Sequence, residues 1–549
     1  MTTADSEVQF QLDGEQVSVS DDGISLLEAL RDRLGKRSPK DGCSPQGQCG
    51  CCTVWVDGAA RVACVTPVRR VAGREVTTLE GLEPAVAERW AQAFTETGAS
   101  QCGFCTPGII MRLASLEQRG KAVDDDAVRT ALAAHLCRCT GWCSILDAAA
   151  RVFGTGSAPT GAAGPGGTGD GTEGRRDLGA AGRRATLEGG SVQTVGPAVA
   201  LGGGGFADDS APADALVAVP DGEGGWVVAE TLHEARAAAG KVQGRNSTVA
   251  VGHPLEVPAG EWELTLRTAF TEPAYLEPDA SWCAPGATAA SPLANGGAFG
   301  GKLRSPVAAA ARRLADEHGR AVRVVLARED VVAMGPKRPP IAAGVRADGS
   351  GRLRVARTPR GGPLDGWRAA VALVAPGLLI EEVAVPGPPV AAAIRGAGWA
   401  EATVLMGALR ARRSGRIGPG HPVEVVSAEG ARATATVAAD GAVRVTVAAG
   451  DVLDEIVLRS YAVGAVHQAL GWVTSEGLAV DGEGRVLDLT IRSFGILTAR
   501  AMPAVVVVIE DDVGPPVAGA DAVFAAVATA AWTAAGLPAE WPLQRGGRS

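Results

Sequence analysis

Gln101-Cys102-Gly103-Phe104-Cys105-Thr106-Pro107-Gly108 and, further along, Cys137-Arg138-Cys139-Thr140-Gly141-Trp142 decide how the rest of the chain is read. A C-x-x-C pair and a C-x-C pair present four thiolates from two short turns. Each pair is followed by threonine and a helix breaker, which places each turn beside a helix. Four thiolates are what a [2Fe–2S] cluster requires, two for each iron. A structural zinc ion uses the same residue types. Zinc sites more often repeat C-x-x-C, and the tight C-x-C with a second cysteine group upstream favours iron and sulfide. Cys102, Cys105, Cys137 and Cys139 are therefore the expected ligands.

The upstream group is Gly42-Cys43-Ser44-Pro45-Gln46-Gly47-Gln48-Cys49-Gly50-Cys51-Cys52-Thr53, with Cys64 on the strand that follows. Small residues let such a loop curl around a cluster with amide N–H groups aimed at sulfur. The spacing is close to the plant-type C-x4-C-x2-C…C pattern. It carries one extra residue between Cys43 and Cys49, so the loop must bulge and Cys51 becomes a competitor of Cys49.

Around these groups the chain divides into four parts. Residues 1–81 read as a small mixed domain. Val8–Leu12 and Val17–Val19 alternate about Asp13-Gly14, a hairpin signal, and Ser25 with Glu28 opens a helix that Gly35 closes. Residues 82–153 read as helical, with periodic stretches at Pro84–Thr97, Ile109–Arg119, Asp125–His135 and Ser144–Phe153. Cys143 and His135 are expected to be packing residues. Residues 154–185 are rich in Gly, Ala, Thr and Pro without apolar periodicity, and read as a flexible linker that lets the two halves move independently. Residues 186–549 alternate strands and helices, an α/β or α+β pattern. Gly202-Gly203-Gly204-Gly205 lacks the Lys-Ser/Thr of a phosphate loop and reads as a flexible loop.

Composition narrows the function. A net charge of −9 argues against nucleic acid as the main partner. The first residues have neither a basic nor an apolar segment of the secretory kind, and Val505–Ile509 is strand-sized rather than membrane-spanning. Eleven cysteines, an odd number grouped in metal-ligand spacings, suit a reducing compartment. The expectation is a cytoplasmic protein with no membrane contact.

The motifs together resemble the xanthine dehydrogenase/aldehyde oxidase family, whose all-helical [2Fe–2S] domain carries CGFCTPG and CRCTG in this order. The resemblance implies a β-grasp, plant-type ferredoxin domain at the N-terminus, and the CGxCTV match at Cys49–Val54 implies Cys43, Cys49, Cys52 and Cys64 as its ligands. It also implies a shortened mixed α/β molybdopterin-binding-like domain in the C-terminal part. Tyr275-Leu276-Glu277-Pro278 matches an LEP segment, and Gly296–Lys302 matches GGGFGGK. Gly319–Asp330 matches the helix-to-strand passage that follows. Arg395-Gly396-Ala397-Gly398 matches the RGxG loop over the metal, and Gly464–Gly477 matches a cofactor-binding helix. Gly297, Phe299, Gly300, Arg395, Gly396, Ala397 and Gln468 are the implied cofactor contacts.

The departures matter as much. No flavin domain has room in this chain. The sequence holds no glutamine between Gln243 and Gln468 for a role the family fills there. Where the family has VGEPP, whose glutamate activates the metal-bound water, the run is Val513-Gly514-Pro515-Pro516. Glu510, Asp511 and Asp512 lie just upstream as substitute carboxylates. Two functions compete. One is a molybdenum-hydroxylase-type oxidoreductase that passes electrons from a small-molecule substrate through two [2Fe–2S] clusters, to a flavin or other acceptor subunit, in an oligomer. The other is an electron-transfer iron–sulfur subunit whose C-terminal domain is a cofactor-free scaffold.

Overall fold

The computed structural model describes residues 6–118, 122–155, 176–240, 250–293, 295–487 and 489–543. The first part builds a five-stranded mixed sheet from β1 (Ser6–Leu12), β2 (Glu15–Asp21), β3 (Thr53–Val56), β4 (Ala59–Val62) and β5 (Glu75–Thr77), in the order β2-β1-β5-β3-β4. Val8, Phe10 and Leu12 alternate along β1 and are buried with Val54, Val56 and Val76. That period-2 burial is what the hairpin pattern predicts. Ser25 Oγ accepts the Glu28 N–H at the helix start, and the helix continues as a π-helical turn over Ala29–Arg33.

Four helices follow: α1 (Pro84–Thr97), α2 (Thr106–Glu117), α3 (Asp125–Ala131) and α4 (Cys143–Phe153). Proline opens α1 and Gly98, left-handed, closes it, the usual asymmetry of helix ends. Trp90 on α1 packs edge-on against Phe94 and Phe153, which joins α1 to α4.

Of the expected linker, residues 156–175 lie outside the described residues. Its far end is corrected: α5 (Leu178–Gly189) is a helix capped by Asp177. Arg184 on α5 is wholly buried, and its guanidinium donates to the carbonyls of Val452, Val517 and Ala449. Those contacts come from the far end of the chain, so the helix is held by packing and not by its own weak apolar pattern.

The remaining residues form two four-stranded sheets and one five-stranded sheet. Three long helices lie among them: α6 (Trp399–Arg413), α7 (Glu455–Thr474) and α8 (Ala520–Ala534). Helices α7 and α8 are apolar nearly all round and buried nearly all round, as such helices must be.

Ion pairs and hydrogen bonds join the two halves in this fold. Arg31 pairs with Asp208 and Asp209, and Lys40 also pairs with Asp209. Arg328 donates to Gly42 O across the same boundary, at 2.6 Å. Within Gly202–Gly205, Gly202 and Gly204 are buried and Gly203 and Gly205 exposed; a Cβ at Gly204 would lie 3.0 Å from the Cys102 carbonyl, so glycine permits contact there.

Candidate functional site

The second thiol group lies where the helices begin. Cys105 is the residue before α2, whose N-terminal backbone dipoles favour a thiolate. Cys102 and Cys139 sulfurs are 3.6 Å apart. Cys105 and Cys137 form the other pair: the hydrogen bond from Cys105 brings the Cys137 thiol down to about 7, and Cys105 is pushed up in return. The Thr140 hydroxyl lies 3.1 Å from the Cys137 sulfur.

The first group is buried as closely: the Cys64 N–H donates to Cys52 Sγ at 3.4 Å, and the neighbouring Cys49 and Cys64 thiols push the Cys43 thiol well down. The extra loop residue does not keep amides from sulfur, because Gln46 and Gln48 N–H groups point at Cys43 Sγ at 3.3 and 3.4 Å. Among the described residues no three His, Cys, Asp or Glu converge as ligands of a single metal ion. A zinc site needs four donors about one point. Four buried or half-buried free thiols in each group, with Cys102 facing Cys139 in the second, form donor sets whose chemistry fits a two-iron cluster.

Cys51 is fully buried; its sulfur lies 3.9 Å from the Cys49 carbonyl, and both Cys49 and Cys51 sulfurs border Gly42. Cys51→Ala is expected to keep the first cluster's visible absorption and Cys49→Ala to lose it. The reverse pattern would transfer the ligand role to Cys51.

The two groups adjoin. Leu136 N–H donates to Cys49 O at 3.0 Å, and a Cβ at Gly108 would lie 2.3 Å from Gly50 O, so only glycine lets α2 approach the first cysteine loop. His135 fills the space beside Gly50, with Nε2 3.2 Å from Thr53 Oγ1; burial pushes its pKa down to about 3, so it is a neutral packing residue. Cys143 is buried on α4.

On the other side of the second group lies the glycine loop at 296–301. A Cβ at Gly297, where φ is +80°, would lie 3.2 Å from Cys102 Sγ and 3.4 Å from Cys139 Sγ. The loop continues through Phe299 and Gly300, both at positive φ, into contact with the Arg395 loop, where Arg395 N–H donates to Phe299 O. Gly396 is also at positive φ, and Ala397 is buried beneath it. The Arg395 guanidinium lies between the rings of Phe299 and Phe524, with centroids at 5.6 and 5.5 Å. Its Nε and Nη2 are buried without a hydrogen-bond partner in the protein. Two unpartnered cationic donors beside a glycine cradle fit an anionic group such as a phosphate-bearing pterin. Gln468 Nε2 approaches Arg138 O at 3.4 Å on the adjoining face of α7.

Three residues of this region are not evident in sequence order. Gln193, from well upstream, packs against Gly296 and accepts a hydrogen bond from Tyr461. Asp521, in the first turn of α8, brings Oδ2 to 3.6 Å from where a Gly396 Cβ would be. Glu188, wholly buried on α5, accepts the N–H groups of Gly519 and Ala520 at the start of α8. Of the upstream candidates, Asp512 faces Arg432 and the Gly450 N–H, and the Glu510 backbone N–H donates to Val447 O. Two carboxylates reach the Arg395 loop: Asp521, and Glu401, whose Oε2 accepts the Gly398 N–H at 2.6 Å and whose Oε1 accepts from Arg338 Nε at 2.8 Å.

Residues 78–150 match the [2Fe-2S] binding domain family. The nicotinate dehydrogenase small FeS subunit of Eubacterium barkeri is 36% identical over 140 residues, 25% of this chain and 88% of that protein. The chain belongs to the xanthine dehydrogenase/aldehyde oxidase family of molybdenum hydroxylases. The xanthine dehydrogenase iron-sulfur-binding subunit of Escherichia coli is 41% identical over 128 residues, 23% of this chain and 79% of that one. The aldehyde oxidoreductase from Desulfovibrio gigas superposes with a TM-score of 0.67 at 15% identity, covering 96% of this chain and 97% of that one. This family member therefore has a mixed α/β multidomain fold like that of aldehyde oxidoreductase. No helix among the described residues is long and apolar enough to cross a membrane.

Proposed function

We propose that the chain is a compact oxidoreductase in which a small-molecule substrate is oxidised beside the Arg395 and Gly297 loops. Electrons then pass through two [2Fe–2S] clusters, from the one held by Cys102, Cys105, Cys137 and Cys139 to the one held by Cys43, Cys49, Cys52 and Cys64. The observation that carries this is the contact of Gly297 with Cys102 and Cys139. A group bound in that cradle lies against the sulfurs of one thiol set, and that set adjoins the other.

A molybdenum–pterin cofactor would be held by the backbone of Gly297, Phe299 and Gly300 and by the free N–H donors of Arg395, with Ala397 and Gln468 alongside. When bound it supplies oxygen transfer from water and accepts the substrate's electrons. Phe299, Phe524 and Trp472 exclude water around Arg395 and Arg338; Trp472 and Phe524 stack at 5.4 Å, and Arg338 lies 4.0 Å over Trp472. No glutamate stands between Gly514 and Pro515, and proline has no side-chain proton acceptor. A positioned base typically contributes a factor of about 10²–10⁴.

Weak hydroxylation of aldehydes and purines is therefore expected from the unmodified chain. Insertion of Glu between Gly514 and Pro515 should raise molybdenum-dependent turnover. Robust turnover of the natural chain that Asp521→Asn abolishes would instead give the proton to Asp521. Loss on Glu510→Gln or Asp512→Asn would return it to the upstream carboxylates. The missing glutamate also favours the second function, an electron-transfer subunit with a scaffold domain, and that function predicts iron without molybdenum. In either case a partner that accepts electrons, such as a flavin protein, completes the system. Cytoplasm remains the expected location from the cysteine usage.

A further inference from the structure

Helix α6 leaves a gap beside the strand Val423–Val426, the edge of its sheet. Thr403, Gly407, Arg410 and Ala411 recur at helical spacing and share one face of α6. Gly407 brings that face against α8, where a Cβ would lie 2.9 Å from Thr529 Cγ2. Threonine, glycine and alanine stand where a packed helix carries larger side chains, so helix and strand do not close. A cavity of about 610 Å³ remains. Pockets for small molecules typically hold about 300–1,000 Å³. Val374, from the helix Asp365–Val374, and Val423, Val425 and Val426 give this one an apolar wall.

Its polar lining is mostly cationic. Arg410, Arg416 and His421 line the cavity against one carboxylate, Glu424. Arg412 pairs with Glu263, whereas Arg410 and Arg416 have no ion-pair partner among the described residues. The C-terminal carbonyls of α6 do not oppose an anion there, because Ser414, Gly415 and Arg416 N–H groups donate to Arg410, Arg412 and Ala411 O. Thr403 also lines the cavity, is 6% exposed, and its Oγ1 has no hydrogen-bond partner in the protein. A helical threonine ordinarily donates to the carbonyl one turn back, as Thr529 and Thr533 of α8 do.

We propose that this cavity binds a small organic carboxylate, with its hydrocarbon body on the valines and its anionic head on Arg410 and Arg416. The Thr403 hydroxyl supplies a further donor. Guanidinium groups match the two oxygens of a carboxylate, and the charge assists the hydrogen bonds. Inorganic phosphate would leave the valine wall uncovered, and a neutral molecule would leave the arginines unanswered. Arg410 lies about 18 Å along α6 from Gly398, at 1.5 Å per residue. The site is therefore separate from the Arg395 and Gly297 loops, and it needs neither iron nor molybdenum.

Equilibrium dialysis of the full chain against radiolabelled benzoate tests this, with benzamide and inorganic phosphate as competitors. Benzoate should bind, and the neutral amide and phosphate should each compete about tenfold less well than unlabelled benzoate. Arg410 is exposed, so Arg410→Ala should leave the fold and the visible absorption of the chain unchanged. It should weaken benzoate binding about tenfold, the loss of one charge-assisted hydrogen bond. Thr403→Val keeps the side-chain shape and should weaken binding several-fold, whereas a hydroxyl with no ligand would lose nothing by the exchange. No binding at millimolar benzoate overturns the proposal, as does equal competition by benzamide or phosphate. An affinity that Arg410→Ala leaves unchanged overturns it too, and would assign the anion to the free donors of Arg395.

Discussion

Cys139→Ser should leave the protein with one cluster in place of two: iron falls by about half, and one of two reduced-state paramagnetic signals disappears. Cys139 pairs with Cys102, so its loss leaves one iron of that cluster with a single protein thiolate. The other four proposed ligands all come from residues 43–64, so their signal should persist. Serine matches the size of cysteine, which matters where the Cys139 carbonyl is packed against Gly464 of α7. Loss of both signals would mean that the two sets are one structural unit. Retention of both would remove Cys139 from the ligand set.

Glu476→Ala should be the most destabilising single change outside the ligands. Arg138, between the proposed ligands Cys137 and Cys139, forms a two-pronged pair with Glu476 at 2.5 and 2.7 Å, with both side chains buried. Its Nε also donates to Pro273 O at 3.0 Å. Alanine at 476 strands a buried guanidinium, a change that costs about 3–5 kcal/mol. The pair joins the cysteine turn to the segment after α7, so denaturant should release iron together with the unfolding of the C-terminal part. Joint replacement by Arg138→Met and Glu476→Leu should cost less than Glu476→Ala alone, since no charge is then left unpaired. Equal losses in both variants would mean that packing, and not charge, governs the site.

These positions show what was legible in the sequence. Cluster ligands come from short turns, so Cys102, Cys105, Cys137 and Cys139 are readable in order, and the helices between them follow from periodicity. Arg395 and the glycine loop were readable as motifs, but not the donors left free on Arg395, which depend on Phe299 and Phe524 closing over it. Gln193, Glu188 and Asp521 were not readable, because each reaches the region by packing between segments far apart in the chain. Helix α5 was hidden for the same reason: its stability comes from carbonyls around Arg184 that lie far along the chain. Pairing between Arg138 and Glu476 likewise has no local signal, whereas the bulged Cys43–Cys49 loop announced itself by count.

Iron, acid-labile sulfide, molybdenum and zinc in the anaerobically purified full chain test the account most directly. It predicts about four iron and four sulfide per chain, molybdenum in stoichiometric amount and no zinc. Iron and sulfide without molybdenum would contradict the oxidoreductase and leave the electron-transfer function; stoichiometric zinc without iron would contradict both.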